Sequence, residues 1–381
     1  MIRRRIHKRA QPNFVIGLLV ACAALAIAAP AAPALEKGLQ DMRLAHTTSV
    51  AERASITHEI GTTLKARWVR LFVDWSALEA QRGTYSPAVV AQLDAVVDGL
   101  HAEGVKILLT THAMPKWAQD SRWWKHPPAG YAKGPQSFYA IRKGALGDYG
   151  DLGQFLASHF AGRVQALECW NEPNMYYYLY PQRTGGDANY GARTYLAMLR
   201  AFSKGVDRAH TSVKIVAGAT APLGRNNAYA TSPQKFARYL KTHHAAPLFD
   251  VYSHHPYVPG GTARPAPNQR PDDTSTTVTL YNLNTLLRLF PGKPFYLTEY
   301  GYNTRRSVYF GGFSVSQRLQ ASYLKTAYSY ARRYKRVKLL VWFLLYDWRS
   351  ATGPAMNGIY TGLRTTSGAP KSSWSAFRAV H

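Results

Sequence analysis

The chain has 381 residues, 46% hydrophobic and 13% aromatic, which supplies one large core and excludes a disordered polyelectrolyte. Two cysteines, Cys22 and Cys169, exclude a disulfide framework. A formal charge of +26 points toward polyanionic partners, such as an acidic polysaccharide, a phosphate-bearing cell-wall polymer or nucleic acid; solvated solubility charge fits it equally well.

The chain opens on a segment unlike the rest. Arg3, Arg4, Arg5, Lys8 and Arg9 precede an apolar run from Phe14 to Ala28, and Ala32-Pro33-Ala34 offers small residues to a signal peptidase. Residues 1–34 read as an export signal, with an uncleaved anchor as the alternative, because a spanning helix needs about 20 apolar residues. A secreted or cell-envelope location follows, with no stable membrane insertion after cleavage. The remainder, 35–381, keeps a charge of about +21, since the segment removes five basic residues and no acid.

Gly38 to Met42 is the first expected strand. Helix follows over Val50–Leu64, strand over Trp68–Val73, helix over Pro87–Ala102 with Gly104 as its cap, and strand over Val105–Thr110. A long polar and aromatic connection runs from Met114 to Tyr149, and long connections in compact domains are usually functional. Helix Leu152–Phe160 leads to an apolar strand, Val164–Cys169. Helix Thr194–Ala209, strand Val213–Ala217, helix Gln234–Thr242, strand Phe249–Ser253 and helix Leu280–Leu289 come next. The strand beginning at Phe295, helix Val315–Arg332, strand Val337–Leu345 and helix Ser373–Val380 finish the chain. Strand and helix alternate about eight times, so a single-domain α/β fold, a parallel (β/α)8 TIM barrel, is expected over 35–381. No second domain or linker is visible, and a monomer is expected.

Barrel enzymes carry their chemistry at the carboxyl ends of the strands. Those ends hold Arg70, then His112 and Trp117, then Trp170-Asn171-Glu172-Pro173-Asn174. Farther on come His254-His255-Pro256-Tyr257, Leu297-Thr298-Glu299-Tyr300-Gly301, and finally Trp342, Asp347 and Trp348. One strand-end glutamate is usually a capped or surface residue. Two, each ringed by aromatics and one preceded by asparagine, supply what glycosidic cleavage needs: a proton donor to the leaving oxygen and a group that attacks or activates water. A glutamate at a strand end is also aimed by a rigid element.

WNEPN with a later LTEYG resembles clan A of the glycoside hydrolases, the retaining (β/α)8 enzymes, and is most similar to the cellulase-like and xylosidase/iduronidase-like branches. The resemblance covers nearly all of the chain after the N-terminal segment. It implies that Glu172 is the acid/base and Glu299 the nucleophile. It implies too that Arg70, on strand two, and Tyr257, after strand six, serve Glu299. Bond configuration in the clan is usually β.

Asn171 is expected to hydrogen-bond a sugar 2-hydroxyl, with His112 and His255 shaping the same subsite. Arg70 has a second reading, a buried ion pair with Glu168, since buried arginines are normally paired. Trp342 and Trp117 are expected to meet sugar faces, and Arg305 and Arg306 to hold carboxylates or phosphates of the substrate. Neighbouring residues of a strand point oppositely, so neither His243-His244 nor His254-His255 makes a bidentate set, and no metal or cofactor is expected. Cys169 reads as a buried apolar residue rather than a nucleophile. The expected partner is then a carbohydrate, with an acidic polysaccharide or a cell-wall glycan as the candidates, and no specific nucleic acid. The alternatives are a glycan-binding barrel without turnover and a charge-driven polyanion binder.

Overall fold

The structure, a computed structural model, describes residues 34–44, 46–261, 265–308, 313–349 and 357–380. The expected export segment lies outside them apart from Ala34.

Eight parallel strands close on themselves in chain order: β1 (Glu36–Gln40), β2 (Trp68–Asp74), β3 (Lys106–His112), β4 (Ala166–Glu168), β5 (Lys214–Thr220), β6 (Val251–His254), β7 (Phe295–Tyr300) and β8 (Val337–Phe343). β1 closes the barrel by pairing with both β2 and β8. The helices are α1 (Val50–His58), α2 (Trp75–Leu78), α3 (Pro87–Ala102), α4 (Leu146–His159), α5 (Tyr190–Arg208), α6 (Pro233–Thr242), α7 (Asn284–Leu287), α8 (Gln317–Ala331) and α9 (Ser372–Arg378). Local chemistry starts several of them. Ser49, Ser86 and Ser316 accept the amides of Glu52, Val89 and Leu319 at the starts of α1, α3 and α8, and proline opens α3 and α6. Gly104, at φ +68°, turns the chain out of α3 into β3.

Alternation along the strands separates two apolar layers. Trp68, Leu108, Ala166, Val216, Val251, Tyr296, Leu339 and Val341 fill the barrel interior, while a larger cluster, including Val69, Leu71, Ile107 and Leu167, joins the outer face to the helices. Two residues above the interior layer the inward positions turn polar: Gln40, Arg70, Thr110, Glu168, Ser253 and Thr298. The barrel therefore carries a polar floor beneath its carboxyl rim.

Among the element boundaries that differ from the expected ones, three differ for a visible reason. β1 lies two residues earlier, because Asp41 accepts the amides of Arg43 (2.8 Å) and Leu44 (3.3 Å) and bends the chain away from the sheet. The helix expected over Leu280–Leu289 shrinks to a single turn, α7. Asn282 takes the Thr279 amide (2.8 Å) and donates to the Thr277 carbonyl (2.9 Å), so side chain replaces helix. α4 begins at Leu146 rather than Leu152, through glycines that dilute the helical signal.

Two of those glycines, Gly150 and Gly153, serve packing. A Cβ on Gly205 of α5 would fall 1.7 Å from the Gly150 carbonyl oxygen of α4, and one on Gly150 would fall 2.7 Å from the Ala201 carbonyl oxygen. Backbone thus meets backbone, and α4 and α5 cannot part without losing that seam. Gly205→Ala is expected to cost about 3 kcal/mol, read as a lower urea midpoint at unchanged m. Gly147→Ala, whose Cβ enters open space, is expected to change stability by no more than about 1 kcal/mol; equal losses in the two variants would refute the close-contact explanation.

Candidate active site

The chain leaves β4 through two residues in left-handed backbone, Trp170 at φ +70° and Glu172 at φ +37°. Side-chain-bearing residues seldom sit there unless their surroundings hold them. Here the Trp170 amide donates to Thr111 Oγ1 (3.1 Å) and its indole to the Tyr178 carbonyl (2.8 Å), while the Glu172 amide donates to the Ala219 carbonyl (3.0 Å). The twisted exit brings both Asn171 and Glu172 over the polar floor. β7 solves the same problem differently. Thr298 continues the inward face, so Glu299 would face outward on a regular strand, but the register against β8 shifts between Leu297 and Tyr300. Such irregularities re-aim side chains next to active sites.

Arg70 joins the parts. Fully buried, it donates to Gln40 Oε1 (3.0 Å), Thr110 Oγ1 (3.0 Å), Glu168 Oε2 (2.9 Å from Nε), Asn171 Oδ1 (2.6 Å) and Glu299 Oε1. Both readings of Arg70 hold at once, since it pairs with Glu168 and serves Glu299. Asn171 Nδ2 is left buried with no hydrogen-bond partner of ordinary geometry. Tyr257 donates to Glu299 Oε2 (3.1 Å).

Glu172 and Glu299 converge. One oxygen of each and a ring nitrogen of His255 all lie within 4.8 Å of one another. His255 Nδ1 is 2.9 Å from Glu172 Oε1, and its Nε2 is 3.1 Å from Thr298 Oγ1. The Tyr177 hydroxyl donates to Glu172 Oε2 at 3.4 Å. Burial raises the Glu172 carboxyl well above its ordinary 4.5, and the Glu299 charge adds to this. Burial raises Glu299 too, but the Arg70 charge and the hydrogen bonds from Arg70 and Tyr257 pull it back. Burial, with Arg70 nearby, holds His255 well below its ordinary value, so its ring is neutral.

Glu172, His255 and Glu299 form the one set of metal-type donors among the described residues. Their surroundings fit a proton better than a cation: both Glu299 oxygens are engaged by Arg70 and Tyr257, and the guanidinium adjoins the site. The partner of the His254-His255 doublet faces away, His254 bonding Thr220 Oγ1 (2.8 Å) and the Val278 carbonyl (3.0 Å).

The other expected residues divide. His112 stands on the inward face of β3 at the rim, its ring against Phe72 (centroids 4.6 Å apart), and burial pushes its pKa down to about 4. Trp342 requires correction. The inward residues of β8 are Leu339, Val341 and Phe343, so Trp342 points outward; it is fully buried and donates to the Thr361 carbonyl (2.9 Å). Phe343 takes the inward place, packed with Tyr257 and flanked by Met42, Trp348 and Ile359. Strand parity would have found it. Trp117 is also bound into structure, donating to the Glu79 carbonyl (2.8 Å) with its ring edge on Trp75. Arg305 and Arg306 are exposed on the loop after β7, Arg305 over the Tyr360 ring, and no hydrogen bond ties either to the glutamates among the described contacts. Sequence alone assigns no role to Gln40, Thr110 or Thr298, because isolated polar residues carry no motif, and leaves Tyr177, within the aromatic run Tyr176–Tyr178, open between sugar contact and packing. Cys169 is buried beside Tyr149, and burial raises its thiol to about 12, which suits packing and not attack.

The profile of the cellulase family, glycosyl hydrolase family 5, matches residues 52–346. No curated protein matches the sequence. Among solved structures, a family 39 glycoside hydrolase from the gut symbiont Bacteroides cellulosilyticus superposes with a TM-score of 0.64 at 18% identity. That match covers 91% of this chain and 63% of the other, so this chain spans less than two thirds of its length. A GH5_18 protein from Streptomyces cattleya, in complex with GlcNAc, gives 0.64 at 14% identity over 91% of this chain and 79% of that one. A GH39 β-xylosidase from Caulobacter crescentus gives 0.58 at 19% over 91% and 70%. At these identities the structures speak for the fold, and all three belong with the clan A barrels. With the profile covering most of the barrel, the chain belongs to glycosyl hydrolase family 5 and is a glycosidase.

Proposed function

We propose that this glycosidase cleaves its bond with retention, by two displacements, with Glu299 as nucleophile and Glu172 as acid and then base. The observation that carries this is the approach of the two carboxyls to within 4.8 Å. Direct attack needs carboxyl groups about 5–5.5 Å apart, whereas a water-inserting, inverting site needs about 6.5–9.5 Å. The electrostatic asymmetry supports the assignment of roles. Arg70 and Tyr257 both hydrogen-bond Glu299 and favour its ionised form, whereas Glu172 feels the Arg70 charge only through space, and the Glu299 charge favours a proton on it.

In the first step Glu299 attacks the anomeric carbon while Glu172 gives its proton to the departing oxygen, leaving a glycosyl ester on Glu299. In the second, Glu172 takes a proton from water, whose oxygen attacks the same carbon and frees Glu299. Neutral His255 suits both halves. It accepts the Glu172 proton's hydrogen bond at Nδ1 while donating from Nε2 to Thr298, and the opposite tautomer serves once Glu172 is ionised. The unpartnered Asn171 Nδ2 is the donor available to a sugar hydroxyl, and Phe343 and Tyr257 form an aromatic wall. A β bond accords with the name of the β-xylosidase neighbour. The exposed Arg305 and Arg306 and the overall charge support a glycan bearing carboxylates or phosphates, and the N-terminal segment supports export.

Proton NMR of a β-glycoside digest is expected to show the β anomer of the product first, and first appearance of the α anomer would overturn the double displacement. Glu299→Ala is expected to lower kcat by about 10⁴-fold or more. Glu172→Ala should lose turnover but, on an activated aryl glycoside, regain it with azide as a glycosyl azide; no azide product would remove Glu172 from the acid/base role. The raised Glu172 pKa has a linkage consequence. The folded chain holds a proton that the unfolded chain releases near 4.5, so stability falls as pH rises toward the folded value. The Tm of Glu172→Gln relative to the parent should therefore climb as pH rises above about 4.5, and a pH-independent offset would contradict it. Replacing Arg305 and Arg306 by alanine should weaken turnover of an anionic glycan while sparing a neutral one; equal losses on both would reject their substrate role.

A further inference from the structure

From residue 300 to the end of the chain the only acidic residue is Asp347, and buried Lys371 pairs with it at 2.6 Å. This stretch builds α8, β8 and α9, so one sector of the barrel wall is basic without compensation from its own segment. At the amino end of β8, in the turn from α8, lies a groove of about 560 Å³ lined by Tyr281, Tyr330, Arg333, Tyr334, Lys335 and Arg336, with contributions from α7. β8 spans the barrel wall, which puts this groove about 20 Å from the carboxyl rim.

The groove is assembled with fixed chemistry. Arg336 is anchored by the carbonyls of Leu287 (2.5 Å), Phe290 (2.6 Å) and Lys293 (3.0 Å), and the Tyr334 hydroxyl by the Leu280 carbonyl (2.6 Å). Arg333 is exposed and lies 5.0 Å from the Tyr330 ring centre, while Tyr281 is 41% exposed. Neither Arg333 nor Lys335 forms an ion pair with a carboxylate among the described residues. An open aromatic ring beside unpaired cations matches a chain that alternates flat C–H faces with acid groups.

We propose that this groove is a second glycan-binding site, distinct from the carboxyl pair, for a segment of an anionic polysaccharide. A single-stranded nucleic acid is the less suited occupant, because a stacking platform needs successive open ring faces and Arg333 covers that of Tyr330. Tethering the polymer there raises the local concentration of cleavable bonds at the rim. The proposal rests on the anionic-glycan reading of the substrate, and binding measured without turnover separates the two.

The test is affinity electrophoresis of the full chain through gels containing polygalacturonate, alginate or a neutral β-glucan, with a labelled single-stranded oligonucleotide in a parallel shift assay. At least one acidic polymer is expected to retard the parent. Tyr281→Ala should weaken that binding about threefold to tenfold, and Arg333→Ala with Lys335→Ala about tenfold, with hydrolysis of a small aryl glycoside unchanged. Retention of polymer binding in the Arg305→Ala/Arg306→Ala protein would show that the groove acts apart from the rim. No retardation by either acidic polymer, unchanged retardation in the groove variants, or an oligonucleotide bound as tightly and lost with the same substitutions would overturn the proposal.

Discussion

A buried guanidinium has no stable state without partners, and Arg70 finds them on β1, β3, β7 and both within and just beyond β4. Removing charges from water costs several kcal/mol per ion, repaid only where geometry and further hydrogen bonds are good. Five side chains must therefore stand where the fork of Arg70 can reach them. The barrel supplies that registration, since parallel pairing sets Gln40, Arg70 and Leu108 side by side and Thr110 beside Glu168. Stability and site geometry are here one constraint.

The same cation sorts the two carboxyls. Both are buried enough to resist ionisation, and only Glu299 receives hydrogen bonds from Arg70 and Tyr257 to offset this. In the proposed mechanism the difference assigns attack to Glu299 and proton transfer to Glu172. Glu168 is needed in this account although it touches no substrate: it shares Arg70 and keeps the guanidinium from being committed to Glu299 alone. A neutral His255, bridging Glu172 to Thr298, links Glu172 to the β7 strand that also presents Glu299.

Charge is distributed on another principle. Interior cations are held by fixed acceptors: Arg70 by two carboxylates, Lys37 by the carbonyls of Phe377, Arg378 and Val380, and Lys371 by Asp347, Thr304 and the Tyr360 carbonyl. Among the described residues, cations such as Arg305, Arg306, Arg333 and Lys335 are exposed on loops and turns, where solvation costs little and long-range attraction to polyanions remains.

Periodicity, capping residues and glycine or proline punctuation settled the order of eight strands and the positions of most helices, because these are local properties that neighbouring residues fix. The glutamates at 172 and 299 were legible for the same reason: each follows an apolar strand and stands among recognisable neighbours. What escaped was decided between strands or between helices. The inward place of Phe343 over Trp342 follows from strand phase against the barrel axis, and the aim of Glu299 from a register shift with β8. The early start of α4 rests on backbone contact with Gly205; the loss of most of α7 is the local exception, in which Asn282 captures backbone groups three and five residues earlier. Local sequence carries the propensity to form an element. The direction in which a side chain finally points depends on pairing and packing with residues far away in the chain, and only the closed barrel supplies those.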